Sequence, residues 1–366
     1  MASNFNPYPN PSPIPPTPHH PKPQTHFSQS PQTLPTDPDP KLVITGGAKL
    51  SGHVSISGSK NSALPILAAT LCCSGTSKLK NVHNLSDTRT MTSVLGYLGA
   101  EIEFSDNEVV VKTDGVGSVE PDPTRMGKFR GGFFVIGPLL ARFGEAVVGL
   151  PGGCDIGARP VDIYISGLRA LGAVVEVRDN KVVAQTANGK RLAGGRFRLD
   201  YPSVGATETL MMAACLAEGK TLLSNVAREP EIIDLARFLT KSGAHMEGVG
   251  TDKIVIYGKS RLLGAEYGIM PDRIETGSFM LAAAITRSRI SLSPVFPGCK
   301  LCGTRVLASD LRGGMSIVLA GLAAEGVTEV NGVSHIDRGY ENLENKLRLL
   351  GADVKRFEFS KSNLQQ

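Results

Sequence analysis

A helix–strand–helix pattern that returns along the chain leaves few folds open to it. The apolar stretch from Leu64 to Gly75 comes back from Leu210 to Gly219 and again from Ile317 to Gly326, each run closing on a glycine as helices commonly do. A short apolar strand, a polar turn and an amphipathic helix follow each run, and then a Gly-Ala pair: Gly99-Ala100, Gly243-Ala244 and Gly351-Ala352. The first glycine precedes the second by 24, 24 and 25 residues. Spacing that regular marks one supersecondary unit used repeatedly: strand, helix, strand, helix, then one or two strands. The class this implies is α/β.

A fourth copy runs from Pro138 to Gly144 and on to Gly172-Ala173, but its glycines stand 28 residues apart. The excess falls on residues 151–163, Pro-Gly-Gly-Cys-Asp-Ile-Gly-Ala-Arg-Pro-Val-Asp-Ile. An insertion has no packing role in the repeat it interrupts, so a functional loop is expected. Glycines let backbone approach a ligand closely. The guanidinium of Arg159, five residues after Cys154, favours the thiolate, which separates a reactive cysteine from an inert one.

The fifth copy is broken. Residues 279–288 supply its first helix and Ile290 to Val295 the strand after it, yet Gly303 to Arg312 opens the last copy with no second helix between. About one and a half units are therefore expected to be missing.

Charge and composition narrow the ligands. The formal net charge is only +5, acids are interspersed with the 39 Lys and Arg, and aromatics are 5% of residues, so a stacking nucleic-acid surface is not expected. An anionic small molecule fits better. The six cysteines, 72, 73, 154, 215, 299 and 302, lack disulfide-framework spacing, which suits a reducing compartment. Cys72, Cys73 and Cys215 read as buried small hydrophobes on apolar helix faces. Cys299 and Cys302 form a lone C-x-x-C with no second pair, so no metal is expected. The longest apolar run, Gly131 to Leu140, is too short to span a bilayer. Ahead of the repeats, residues 1–40 hold 13 of the 24 prolines and almost nothing to bury, so a disordered extension is expected. Its lack of acids before Asp37 suits a plastid address as an alternative to the cytoplasm, although Lys22 is its one Lys or Arg.

Six motifs in order carry a family resemblance: Ser57 to Pro65 with Lys60-Asn61, Leu150 to Asp162, Pro202 to Glu208, Ala227 to Glu231, Pro271 to Thr276, and His335 to Glu341. From about residue 41 to residue 356 the chain closely resembles the enolpyruvyl transferases that act on UDP-N-acetylglucosamine. The resemblance implies a two-domain, inside-out α/β barrel of repeated βαβαββ units. One complete domain would span 60–260, and a truncated second domain would combine 41–59 with 261–358. It implies a monomeric transferase that needs no cofactor, moves the enolpyruvyl group of phosphoenolpyruvate to the 3-hydroxyl of UDP-N-acetylglucosamine, and serves peptidoglycan precursor synthesis.

By the same resemblance Cys154 is the loop cysteine, similar in role to a general acid and able to form a covalent adduct with phosphoenolpyruvate. Lys60 and Asn61 would hold phosphoenolpyruvate, as would Arg312 and Arg338; Arg130 would contact the reacting centre, and Asp310, beside Arg312 at the start of the last unit, is counted with these catalytic residues. Arg159, Pro160, Val161, Asp162 and Ile163 would bind the uridine and diphosphate, as would Ser203, Val204 and Gly205. Two of these positions also stand on the residues alone, because Lys60 and Ser203 open equivalent helices and helix N-termini favour anions. The chain departs from the family at Tyr201, where some members carry lysine. More seriously, the segment bearing the aspartate thought to deprotonate the sugar hydroxyl has no counterpart between Val295 and Gly303. A second reading follows: a truncated isoform, weakly active or inactive, that binds UDP-sugar or partners through its intact domain.

Overall fold

The computed structural model describes residues 47, 49–122, 130–150, 161–187, 191–295, 305–308, 311–337, 339–340 and 342–357. Strand β1 (Ser51–Ser55) leads into α1 (Lys60–Ala69), which tightens through a 3-10 turn at Thr70–Cys72 into β2 (Cys73–Ser74). The first repeat continues with β3 (Thr76–Lys80), α2 (Ser86–Tyr97), β4 (Glu101–Ser105) and β5 (Glu108–Lys112). A 3-10 helix at Arg130–Val135 opens the second, followed by α3 (Ile136–Phe143), β6 (Glu145–Gly149), α4 (Asp162–Ala170), β7 (Ala173–Arg178) and β8 (Lys181–Thr186). The third holds β9 (Arg196–Arg198), α5 (Val204–Cys215), β10 (Lys220–Ser224), α6 (Pro230–Lys241), β11 (His245–Glu247) and β12 (Lys253–Tyr257). Then come β13 (Leu262–Leu263), β14 (Glu266–Gly268), α7 (Arg273–Ile285) and β15 (Arg289–Ser293). The last described elements are β16 (Arg305–Leu307), α8 (Leu311–Ala323), β17 (Glu329–Asn331), α9 (Val333–Asp337) and α10 (Leu343–Leu349).

Each repeat's two helices do different work because their sequences differ in period. The first is apolar all round, and α1 from Ser62 to Ala69 and α5 from Ala206 to Cys215 are wholly buried. The second is amphipathic: α2 buries Met91, Val94 and Leu95, and α6 buries Ile232, Leu235, Phe238 and Leu239. Strands bury every other residue, as in Ser77 and Leu79 of β3 or Ile254 and Ile256 of β12, so each sheet has one face on the helices. The Gly-Ala pairs share one turn: Gly99, Gly172, Gly243 and Gly351 have φ of 106°, 98°, 107° and 89°, where a side chain would be strained.

Glycine closes the first helices less directly than expected. Gly144 does cap α3, with φ 78° and its amide donating to the Leu140 carbonyl. By contrast α1 ends at Ala69, because Thr70 turns its hydroxyl onto the Leu67 carbonyl at 2.7 Å and the chain enters the 3-10 turn. Cys73 consequently sits on a strand rather than a helix face, while Cys72 lies in the 3-10 turn and Cys215 on α5; all three are buried.

Three sheets carry the repeats, in the orders β14-β3-β5-β4, β6-β8-β7 and β11-β12-β10-β9. In the third, β9 leads into α5 and lies parallel to the strand after it, β10. The first repeat breaks that local rule. β1 leads into α1 but pairs in parallel with β15, and the place beside β3 goes to β14, some 190 residues later. The two connections meet: the Ser59 amide donates to the Met270 carbonyl at 2.8 Å, and the Asp272 amide to the Ser57 carbonyl at 2.8 Å.

Beyond residue 273 the packing thins. Among the described residues there, the buried apolar side chains are Ala308, Ile336 and Leu347, whereas Ile285, Leu307, Val327 and Leu349 are exposed. Past their polar first turns both α7 and α8 are rich in apolar residues, yet the described residues of both are mostly half-buried.

Candidate functional site

Lys60 is the first residue of α1, whose N-cap Ser59 accepts the Ser62 amide on its hydroxyl. The Lys60 ammonium lies 2.9 Å from Asp87 Oδ2, in the first turn of α2, and its backbone amide donates to Asp272 Oδ2 at 3.3 Å. Asn61 beside it is exposed. Ser203 repeats the arrangement at α5, its hydroxyl accepting the Ala206 amide at 3.4 Å. The two serine caps set Ser203 at the position of Ser59, so the counterpart of Lys60 is Val204 and the expected equivalence of Lys60 with Ser203 is displaced by one residue.

Cys72 Sγ, past the end of α1, donates to the Met212 carbonyl near the end of α5. The 3-10 helix opened by Arg130 packs against both α1 and α5. Tyr164 joins the remaining stretch. It follows Val161, Asp162 and Ile163 at the start of α4, and its hydroxyl lies where a Cβ on Gly205 would come within 2.2 Å. Phe133 meets the Tyr164 ring edge-on, with centroids 5.2 Å apart. Val161 and Ile163 are buried and Asp162 is exposed.

α4 packs against α5 through Tyr164 and Gly205, and the 3-10 helix that Arg130 opens packs against α1, which begins with Lys60, and against α5, which follows Ser203. The backbone places Arg312 in the first turn of α8. Cys154, Arg159, Pro160, Asp310 and Arg338 lie outside the described residues, as do Cys299 and Cys302 of the C-x-x-C pair. Among the described residues no cluster of His, Cys, Asp and Glu could hold a metal, and no helix is long and apolar enough to cross a membrane.

Several neighbours of the site had no sequence signal. Asp87 stands 27 residues from Lys60. Arg273 reaches back 42 residues to Glu231, with Nε 2.9 Å from Oε1 and Nη2 3.2 Å from Oε2, joining two of the six motifs. Asp234 on the same helix accepts the Tyr267 hydroxyl at 2.7 Å and the Met270 amide at 3.3 Å. Burial pushes its carboxyl above the usual range, against those hydrogen bonds. Burial also raises the Cys72 and Cys215 thiols, and takes Cys73 to about 11. These three stay protonated at neutral pH and are poor nucleophiles.

Gly205→Ala is expected to separate α4 from α5, because its methyl would meet the Tyr164 hydroxyl. The cost is about 1–3 kcal/mol, read as a lower denaturation midpoint. Gly205→Ala combined with Tyr164→Phe should recover part of it, since the second change removes the colliding oxygen.

The family model described as EPSP synthase (3-phosphoshikimate 1-carboxyvinyltransferase) matches residues 44–298 and, as a second stretch, 292–347. A UDP-N-acetylglucosamine 1-carboxyvinyltransferase of Gloeobacter violaceus is 38% identical over 419 aligned positions, covering 87% of this chain and 91% of the relative. A second relative of that name, from Carboxydothermus hydrogenoformans, is 39% identical over 417 positions, covering 86% and 99%. Solved structures share the fold: the enolpyruvyl transferase NikO of Streptomyces tendae has a TM-score of 0.58 at 20% identity, covering 85% of this chain and 97% of that one. EPSP synthase of Acinetobacter baumannii gives 0.57 at 18%, covering 82% and 77%. With a family match over most of its length and relatives this similar across nearly their whole length, the chain belongs to the enolpyruvyl transferase family.

Proposed function

We propose that the chain transfers the enolpyruvyl group of phosphoenolpyruvate to the 3-hydroxyl of UDP-N-acetylglucosamine and releases phosphate. The observation that carries this is the 38–39% identity to relatives of that activity across 91–99% of their length. The chemistry needs a proton delivered to C3, attack of the sugar oxygen on C2, loss of the hydroxyl proton, and then expulsion of phosphate as C3 gives a proton back. In this reading the Cys154 thiol serves as the acid. Lys60, Asn61, Arg130, Arg312 and Arg338 grip the phosphate and carboxylate, with Asp310 beside Arg312. The runs Arg159 to Ile163 and Ser203 to Gly205 hold the nucleotide; the contact of Tyr164 with Gly205 supports their acting together.

The finer architecture belongs to the same reading: an inside-out barrel domain over 60–260 and a second domain from 41–59 and 261–358, truncated. The strand exchange of β1 and β14 supports two crossings between them. Two facts support the truncation. Alignments of 419 and 417 positions exceed the 366 residues of the chain, so relatives carry residues with no counterpart here. The family match also divides at residues 292–298, where the fifth repeat breaks off. The same gap favours a second reading, binding of UDP-sugar with little turnover.

Phosphate release with both substrates tests the proposal. A rate well below that of the Gloeobacter relative is expected, and Cys154→Ala should abolish both release and alkylation by an epoxide phosphonate such as fosfomycin. A rate equal to the relative's would show the absent segment dispensable. Saturable UDP-N-acetylglucosamine binding without any release would select the second reading, and alkylation persisting in Cys154→Ala would remove that cysteine from its role.

A further inference from the structure

The geometry points to Asp87 as the residue that positions the Lys60 ammonium for the phosphate of phosphoenolpyruvate, an inference that rests on the site reading above. A lysine at the first position of a helix faces the positive end of the helix dipole, so it does nothing for the stability of α1. Its partner comes instead from another helix. Asp87, in the first turn of α2, holds the ammonium at 2.9 Å while Lys60 and Asp87 keep side-chain exposures of 41% and 37%. An ammonium has three donors, and one carboxylate oxygen occupies one of them. Two remain for an anion arriving from solvent.

Without that contact the four-carbon stem is free to rotate, and binding has to freeze it. Asp87 removes that cost before the ligand arrives. The Lys60 backbone is fixed independently, through its amide on Asp272 Oδ2 and the Ser59 amide on Met270. Rotation of the side chain is therefore the freedom left for Asp87 to restrict. A purely structural Asp87, serving the dipole of α2, would affect folding and leave ligand affinity alone.

Calorimetric titration of phosphoenolpyruvate into the full chain saturated with UDP-N-acetylglucosamine, all variants being made in a Cys154→Ala background so that no turnover heat enters, separates these roles. Asp87→Asn should weaken phosphoenolpyruvate binding by between about threefold and tenfold, the penalty of one newly mobile side chain. Asp87→Glu should restore most of the loss, and the affinity for UDP-N-acetylglucosamine alone should not change. In a Lys60→Ala background Asp87→Asn should add nothing, because a residue acting through Lys60 has no effect once Lys60 is gone. The inference is overturned by unchanged phosphoenolpyruvate affinity in Asp87→Asn, or by losses that add in the double variant. If Lys60→Ala itself binds phosphoenolpyruvate as the unaltered chain does, or the unaltered chain binds none, the site reading fails and takes this inference with it.

Discussion

Replacing Arg273 with methionine should lower the unfolding free energy by about 2–4 kcal/mol, seen as a shift of the urea midpoint. The argument starts from Glu231, whose side chain is 2% exposed and whose two oxygens both face the Arg273 guanidinium. A carboxylate at that depth is tolerable because it is paired. Methionine preserves the apolar stem and removes the charge, so Glu231 remains buried without its guanidinium. The upper end of the range applies to fully enclosed pairs; Arg273 is 38% exposed, so solvent reaches the space it vacates and the lower end is favoured. Pairing the change with Glu231→Gln should recover part of the loss, because the stranded charge is then gone. A midpoint equal to that of the unaltered chain would show that water alone satisfies Glu231.

That pair also shows what could be read from residues and what could not. The repeats were legible because glycine positions and hydrophobic period are local properties: the Gly-Ala pairs each turn at positive φ, and the apolar and amphipathic helices alternate as their sequences require. The starts of α1 and α5 were legible for the same reason, each following a serine cap, Ser59 and Ser203. Partner choice was not. Nothing in Ser51 to Ser55 says that it pairs with β15 rather than with β3, because a short parallel strand is chosen by the sheet edge available to it. Likewise Asp87 and Glu231 look like ordinary helix-start acids until tertiary packing sets Lys60 and Arg273 against them. The motif from Ala227 to Glu231 and the motif from Pro271 to Thr276 were each visible, but their contact depends on how α6 sits beside the crossing chain.

The crossing itself should be sensitive to a single methyl. Gly58 lies opposite Pro271 in an isolated antiparallel bridge, and a Cβ there would come within 1.8 Å of the Asn81 carbonyl oxygen. The obstacle is backbone, so no rotamer change relieves it. Asn81 cannot readily retreat either: it already sits at φ 61°, its side-chain amide donates to the Ile269 carbonyl at 2.9 Å, and Ile269 lies next to the crossing. Gly58→Ala must therefore push residues 57–59 away from Asn81, straining the Ser59 bond to Met270 and the Asp272 bond to Ser57. We expect a destabilisation of at least about 3 kcal/mol, the top of the range for overpacking, because hydrogen-bonded backbone moves as well as side chains. Phosphoenolpyruvate affinity should fall in parallel, since Ser59 caps the helix that begins with Lys60. Gly96→Ala is the matched control: it lies within α2 with nothing within 4 Å of an added Cβ, and alanine there should leave stability unchanged or raise it by up to about 1 kcal/mol. Equal stability of the Gly58 and Gly96 variants would mean that the crossing yields without cost, and that the close approach to Asn81 does not hold Lys60 in place.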